Sequence, residues 1–282
     1  METANHEQAA HWNSAAGAGH WVTNQGRHDR MLEPFLTMIL GAAAITTGDQ
    51  VLDVGCGCGA TTRAAARMAT PAEVTGIDLS ATMLARAAAD ARTALLANVS
   101  FIEGDAQVQP FEPASFDAVI SRFGLMFFAD PIAAFTNLRR ATRPGGRIVF
   151  ACWQPMAANP WLLIPGAALA EHVPPPEPGD PDAPGMFSLA DPDRVRGILT
   201  DAGWGEADIA PARASILVGG GGTVEEAVEF LRGGSMARSL LADADEVTRH
   251  RALASVRSAL LPYADSDGVH LDAAVWLVRA GA

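Results

Sequence analysis

The sequence predicts an α/β fold built on a mostly parallel sheet, and three observations carry that expectation. Between Gln50 and Phe150, short near-continuous apolar runs alternate with longer Ala-rich, Arg-dotted stretches of helical spacing, the pattern of repeated βα units. The first run passes straight into a glycine-rich loop. Acidic residues then stand at the ends of the second and third runs.

The expected strands are Gln50 to Val54, Glu73 to Asp78, Val99 to Glu103, Phe116 to Ser121 and Arg147 to Cys152. Each reads as a strand buried on both faces. Helices are expected at Thr61 to Ala69, Ala81 to Leu96 and Ile132 to Thr142, with Arg143-Pro144-Gly145-Gly146 as a sharp stop before the fifth strand. Ahead of this core, Met31 to Ala44 has helical spacing. Behind it, residues 154–193 carry the proline cluster Val173-Pro174-Pro175-Pro176-Glu177-Pro178 and read as an ordered loop or lid. A helix at Asp193 to Ala202, a strand at Asp208 to Leu217, a flexible Gly219 to Gly222, two or three helices to Leu261 and a closing strand at Val269 to Arg279 complete the chain.

Composition narrows the class. The chain has 282 residues, 49% hydrophobic and 18% charged, which excludes a disordered polyelectrolyte, and no segment reaches the ~20 apolar residues of a membrane span. Acidic residues outnumber basic ones 32 to 20, for a net charge of −12, and every basic residue is Arg; nucleic-acid phosphate and anionic lipid are therefore poor partners. Three cysteines, Cys56, Cys58 and Cys152, form no disulfide framework and fit a reducing cytoplasm. The N-terminus lacks the features of an export signal.

The chemistry begins at Val51-Leu52-Asp53-Val54-Gly55-Cys56-Gly57-Cys58-Gly59-Ala60. Glycines there let backbone N–H groups approach a ligand closely. Gly55, Gly57 and Ala60 also satisfy the G-x-G-x-x-G/A spacing of dinucleotide sites, so the loop alone does not choose between ligands. The other strand ends do. Asp78, 23 residues beyond Gly55, is placed to accept from both hydroxyls of a ribose. Asp105 and the N–H of Ala106 suit the amine and ring nitrogen of an adenine.

Leu-Asp-Val-Gly-Cys-Gly, Gly-Ile-Asp-Leu-Ser, Glu-Gly-Asp-Ala, Phe-Asp-Ala-Val and Arg-Pro-Gly-Gly, in this order across residues 45–152, resemble a class I S-adenosylmethionine-dependent methyltransferase of the branch that includes quinone-biosynthesis and bacterial small-molecule enzymes. The resemblance implies a Rossmann-like, mostly parallel seven-stranded sheet with helices on both faces, an antiparallel last strand and a helical or loop cap. It implies S-adenosylmethionine as cofactor, with Asp53, Gly55 and Gly57 around its methionine part, Asp78 on the ribose with Leu79 and Met83 beside it, Asp105 and Ala106 on the adenine, and Ser121 facing the amino-acid moiety. In these terms residues 1–45 are an N-terminal cap, 46–153 the cofactor-binding core, 154–192 a Pro-rich lid insertion and 193–282 the completion of the sheet with a helical cap insertion at 219–262, all one structural domain.

A sulfonium donor is already activated, so transfer needs positioning and exclusion of water more than a nucleophile. A general base helps a weakly acidic acceptor, and His20 and His28 are the candidates, because the N-terminal segment of similar enzymes folds over the cofactor. Trp21, Phe123 and Trp153 are the candidates to stack a planar acceptor. Arg122 and Arg30 are able to attract a carboxylate. His6, His11, His20 and His28 lack the regular carboxylate partners of a metal site, and metal-free transfer is expected. Ser121-Arg122-Phe123-Gly124 stands where amino-nitrogen methyltransferases of nucleobases carry Asn/Asp-Pro-Pro-Tyr, which again disfavours nucleic acid. The expected substrate is a small organic molecule, apolar or aromatic in part, with an oxygen, nitrogen or carbon acceptor; the protein is expected to be cytoplasmic, and a homo-oligomer is compatible with the pattern. A nicotinamide-dependent oxidoreductase would share the glycine loop, but Glu-Gly-Asp-Ala and the lack of a Tyr-x-x-x-Lys pair oppose it. A non-catalytic binding protein of the same fold is the third reading.

Overall fold

A computed structural model describes residues 3–175 and 179–282; Pro176, Glu177 and Pro178 of the proline cluster lie outside the described residues. Seven strands form one sheet in the order β3-β2-β1-β4-β5-β7-β6. They are β1 (Val51–Val54), β2 (Val74–Asp78), β3 (Val99–Glu103), β4 (Phe116–Arg122), β5 (Thr142–Trp153), β6 (Asp208–Leu217) and β7 (His270–Gly281). The β1–β5 pairings are parallel, and β7 runs antiparallel to both β5 and β6, so the closing strand takes the direction that the resemblance implies. Val51, Leu52, Val119, Ile120, Ile148, Val149 and Phe150 are fully buried, which explains why these strands read as unbroken apolar runs rather than alternating ones.

Helices fill the crossovers: α4 (Ala60–Ala69) between β1 and β2, α5 (Ala81–Thr93) between β2 and β3, α6 (Pro131–Ala141) between β4 and β5. Their starts are chemically marked. The Ser80 hydroxyl accepts from Met83 N at the head of α5, and the Asp130 carboxylate accepts from Ala133 N at the head of α6, each satisfying a donor left free by the helix. Because β1 neighbours both β2 and β4, the order in which successive strands are added reverses between β1 and β4, and the crevice beyond their carboxyl ends is where ligands of open α/β sheets bind.

Several elements differ from the sequence reading. The N-terminal helix is longer, α3 (Gln25–Ala43), and is preceded by α1 (His6–Trp12), a π-helical turn at Ala15–Gly19 and α2 (His20–Thr23). Strand β5 begins at Thr142, so Arg143-Pro144-Gly145-Gly146 lies within it as an irregularity: Phe116 pairs with Thr142 and Ala118 with Arg147. Residues 154–192 contain α7 (Pro160–Ala170), with Pro160 at its first turn and Pro165 inside, packed against α11 (Glu246–Leu260) and β7. Gly219 and Gly220 are buried against Arg27 and Phe230, not loose. The remaining helices are α8 (Pro192–Asp201), α9 (Val224–Arg232) and α10 (Ser235–Leu240). Among the described residues, no helix is long and apolar enough to cross a membrane.

Candidate active site

The carboxyl ends of β1 and β4 meet through two glycines. Gly55 has φ +66°, and a Cβ built on it stands 2.6 Å from Gly124 Cα; a Cβ on Gly124 stands 2.6 Å from the Val54 carbonyl oxygen. No side chain fits at either position. Ser121 is fully buried; its hydroxyl donates to Val54 O at 2.7 Å and accepts from Gly124 N at 3.1 Å. The Ser121 hydroxyl thus braces the two loops against each other.

The three acidic residues stand at the carboxyl ends of the neighbouring strands β1, β2 and β3. Asp53 is buried, and its Oδ2 accepts from the Thr62 hydroxyl at 2.6 Å, while Oδ1 is buried without a partner. Burial pushes its pKa up to about 7, against the Thr62 donation and the Arg122 charge, with Asp78 adding to the rise. Asp78 accepts from Gly57 N at 2.8 Å and from Ser80 N at 2.9 Å, one donor on each oxygen. Half of its acceptor sites stay open, since a carboxylate offers about four lone pairs. Gly57 has φ +53°, and a Cβ there would meet Met83 Sδ at 3.6 Å. Asp105 lies at the end of β3 and is 1% exposed; burial raises its pKa, but donors from Gln107, Asn5 and Thr3 outweigh that and hold it below the ordinary value. Ala106 is buried beside it.

An arginine without a full set of partners faces Asp53. Arg122 has a side chain only 10% exposed, and its nearest carboxylate is Asp29 of α3, at 3.5 Å; its Nη1 is buried and unpaired. Asp29 also lies 3.9 Å from Arg63, and Arg63 donates to Cys58 O at 2.7 Å, tying α3 to the glycine loop. Cys56 and Cys58 are buried free thiols, pushed above the usual thiol range chiefly by burial, as befits loop packing.

On α2 and α3 the structure gathers an aromatic and polar wall. Trp21 stacks on His28, and His28 lies 5.5 Å from His20 and 4.9 Å from Phe230 between ring centroids. His28 Nε2 and Gln25 Oε1, one helical turn apart, are both buried without hydrogen-bond partners. Burial, then the charges of His20, Arg122 and Arg27, lowers the His28 pKa to about 3, so its imidazole is neutral at pH 7. His20 is lowered too, by burial and by Arg238, and its Nδ1 is 3.3 Å from Asn24 Nδ2.

Phe123 and Trp153 pack together. They stack on each other at 4.2 Å, and Phe35 and Trp161 lie 5.5 and 5.1 Å from Trp153. Trp153 is 3% exposed and lies in the hydrophobic core. The sequence reading missed Gln25, Asp29 and Thr62, and it missed Asn5, which donates from Nδ2 to Asp105. Only Thr62, one turn into α4 from the glycine loop, carried a local signal. An open cleft of 460 Å³ lies at Arg27, Arg30, Gly220–Gly222 and Glu226 and shares no residue with the Asp53, Asp78 and Asp105 rim. Among the described residues, no three His, Cys, Asp or Glu side chains gather as a metal cluster.

Residues 52–150 match the methyltransferase domain family. A demethylmenaquinone methyltransferase of Staphylococcus aureus is 41% identical over 106 residues, 37% of this chain and 43% of that protein; the chain spans less than half the length of the curated relatives it matches. The fold is similar to that of the YcgJ protein from Bacillus subtilis, with TM-score 0.59 and 16% identity over 88% of this chain and 98% of that one. It is similar also to a phosphoethanolamine N-methyltransferase from Haemonchus contortus solved with S-adenosyl-L-methionine, with TM-score 0.58 and 19% identity over 100% of this chain and 60% of that one.

Proposed function

We propose, from the premise that residues 52–150 form a class I methyltransferase domain, that this protein transfers a methyl group from S-adenosylmethionine to a small organic molecule. One observation carries the reading. Beside a glycine loop that no side chain can enter, Asp53 presents a buried, unpaired acceptor and Arg122 a buried, unpaired donor, the charge pattern that matches a zwitterionic amino-acid tail. Asp78, with one open site on each oxygen, suits the paired hydroxyls of a ribose, and Asp105 with Ala106 suits an adenine. Leu79 and Met83 lie beside the ribose position.

When bound, the cofactor supplies a methyl group on a sulfonium, ready for in-line displacement. The chain holds the reactants and keeps water out. Trp21 and Phe230 give the acceptor an apolar wall, and Phe123 adds its edge. Gln25 Oε1 is an unpaired acceptor and His28 Nε2 an unpaired ring nitrogen, which together favour a hydroxyl or amine at the reacting position. A histidine with so low a pKa accepts a hydrogen bond well and a whole proton poorly, so its part is mainly orientation, with His20 beside it as the second candidate base. The demethylmenaquinone methyltransferase relative supports an acceptor that is partly aromatic. The net charge of −12 and three free cysteines support a cytoplasmic enzyme with no nucleic-acid partner.

Calorimetric titration tests the reading. S-adenosylhomocysteine binds at micromolar concentration, and Asp78→Ala weakens it at least ~10-fold by removing both ribose acceptors. If neither holds, the proposal fails.

A further inference from the structure

The seat that the proposed reading gives to adenine is held by the chain's own N-terminus. Asp105 Oδ1 accepts from Gln107 N at 2.9 Å and from Asn5 Nδ2 at 2.8 Å; Oδ2 accepts from Thr3 Oγ1 at 2.9 Å, Ala4 N at 2.9 Å, Asn5 N at 3.0 Å and Asn5 Nδ2 at 2.9 Å. A carboxylate offers about four lone-pair sites, so Asp105 has no capacity left for another donor. The chemistry of Asn5 explains how it fits. Its carboxamide presents an NH2 to Asp105 while its Oδ1 accepts from Ala129 N at 2.5 Å, and a flat group with an amine next to an acceptor is also what the pairing edge of an adenine presents.

The same strap touches the ribose end of the rim. Asn13 Nδ2 donates to Leu79 O at 2.9 Å, and Ala81 N donates to Asn13 Oδ1 at 3.2 Å. Beyond it, Ala18 is buried against Cys58 and Met83 and anchors the start of α2. Between these two anchors little holds the strap down. No residue of α1 is buried, and its apolar contacts run through Trp12, whose edge lies on Phe127 with centroids 5.5 Å apart and which also packs against the Ala18, Cys58 and Met83 cluster. Segments with few buried apolar contacts open at low free energy, and the small exposed residues Ala15 and Ala16, just before the buried Gly17 and Ala18, supply the hinge.

We infer that residues 3–14 are an internal competitor for the nucleoside: Asn5 takes the adenine's place on Asp105, and the strap must leave before cofactor binds. This rests on the proposed assignment of Asp105 to the adenine. Competition of this kind divides the intrinsic affinity by the fraction of chains with the strap open. The segment is therefore a gate that sets cofactor affinity, opposite in effect to a lid that adds contacts once the ligand is bound.

Gate and lid predict opposite signs. Calorimetric titration of the full chain with S-adenosylhomocysteine compares wild type, Asn5→Ala and Asn5→Asp, the last setting a second carboxylate against Asp105. The gate requires both variants to bind about five-fold tighter or more, since each raises the open fraction. Hydrogen exchange on the wild type gives a second reading: the Ala4 and Asn5 amides, which donate to Asp105, exchange faster when the nucleoside is added. Unchanged or weaker binding by the variants, or slower exchange at these amides, overturns the gate. Absence of binding by wild type and both variants overturns the cofactor reading instead, and the gate with it.

Discussion

Trp21 lies flat on His28, with ring centroids 3.8 Å apart and planes 14° from parallel. The indole covers one face of an imidazole that α3 has already turned inward, and burial is the largest cause of its lowered pKa. Chain order makes the contact: the two residues are seven apart, and the short turn at Asn24 between α2 and α3 brings one helix back over the start of the next.

The His28 pKa, about 3 in the folded chain against roughly 6.5 unfolded, fixes the sign of an acid effect. The unfolded state takes up a proton first, so stability from neutral His28 is complete above about pH 6.5 and is lost progressively as pH falls toward 3. Calorimetric melting temperatures should drop between pH 6.5 and 4.5, and His28→Gln should flatten that slope. Trp21→Ala, by admitting water, should raise the pH at which the His28 ring titrates in NMR spectra. A variant whose acid slope equals that of wild type would show that the imidazole is not buried as described.

The glycine contact between the two loops gives a prediction about stability. Gly55→Ala sets a Cβ 2.6 Å from Gly124 Cα at a φ of +66°, where overpacking and backbone strain together cost about 2–4 kcal/mol. Gly197→Ala, on an exposed stretch of α8 where an added Cβ meets nothing within 4 Å, should instead stabilise by about 0.5–1 kcal/mol. Urea unfolding of the two variants against wild type measures both. Equal destabilisation by the two would mean that the loops do not touch.

The core strands were legible because a strand buried on both faces must be apolar throughout, as Val51-Leu52 and Val119-Ile120 are; the glycine loop and the acidic strand ends were legible because their chemistry is local. Contacts between distant segments were not. Asn5 and Asp105 are 100 residues apart, and nothing near Asn5 marks its partner. Trp153 stands at a strand end, as a ligand-facing residue would, but its neighbours Phe35, Phe123 and Trp161 come from three other segments. Helix α7 was hidden by its own prolines: Pro160 sits at the first turn, where no N–H is required, and Pro165 is tolerated inside a helix otherwise apolar on all sides.

Asp53 carries the last prediction. Its folded pKa is raised to about 7, mainly by burial, whereas the unfolded carboxyl ionises near 3.9. Ionising it inside the fold is therefore unfavourable, so stability falls as pH rises from about 4 to about 7 and levels off above that. Asp53→Asn keeps an acceptor for the Thr62 hydroxyl, now at 2.6 Å from Oδ2, and removes the ionisation. The variant should melt higher than wild type at pH 8, by an amount on the order of 2–4 kcal/mol in unfolding free energy, and show little difference at about pH 4. Binding runs the other way. The ammonium of the nucleoside's amino-acid tail needs the ionised carboxylate, so the affinity of wild type for S-adenosylhomocysteine should rise about 10-fold between pH 6 and 8, while the Asn variant binds weakly at every pH. Calorimetry at pH 6, 7 and 8 decides it: a flat affinity profile for wild type would place the ammonium away from Asp53.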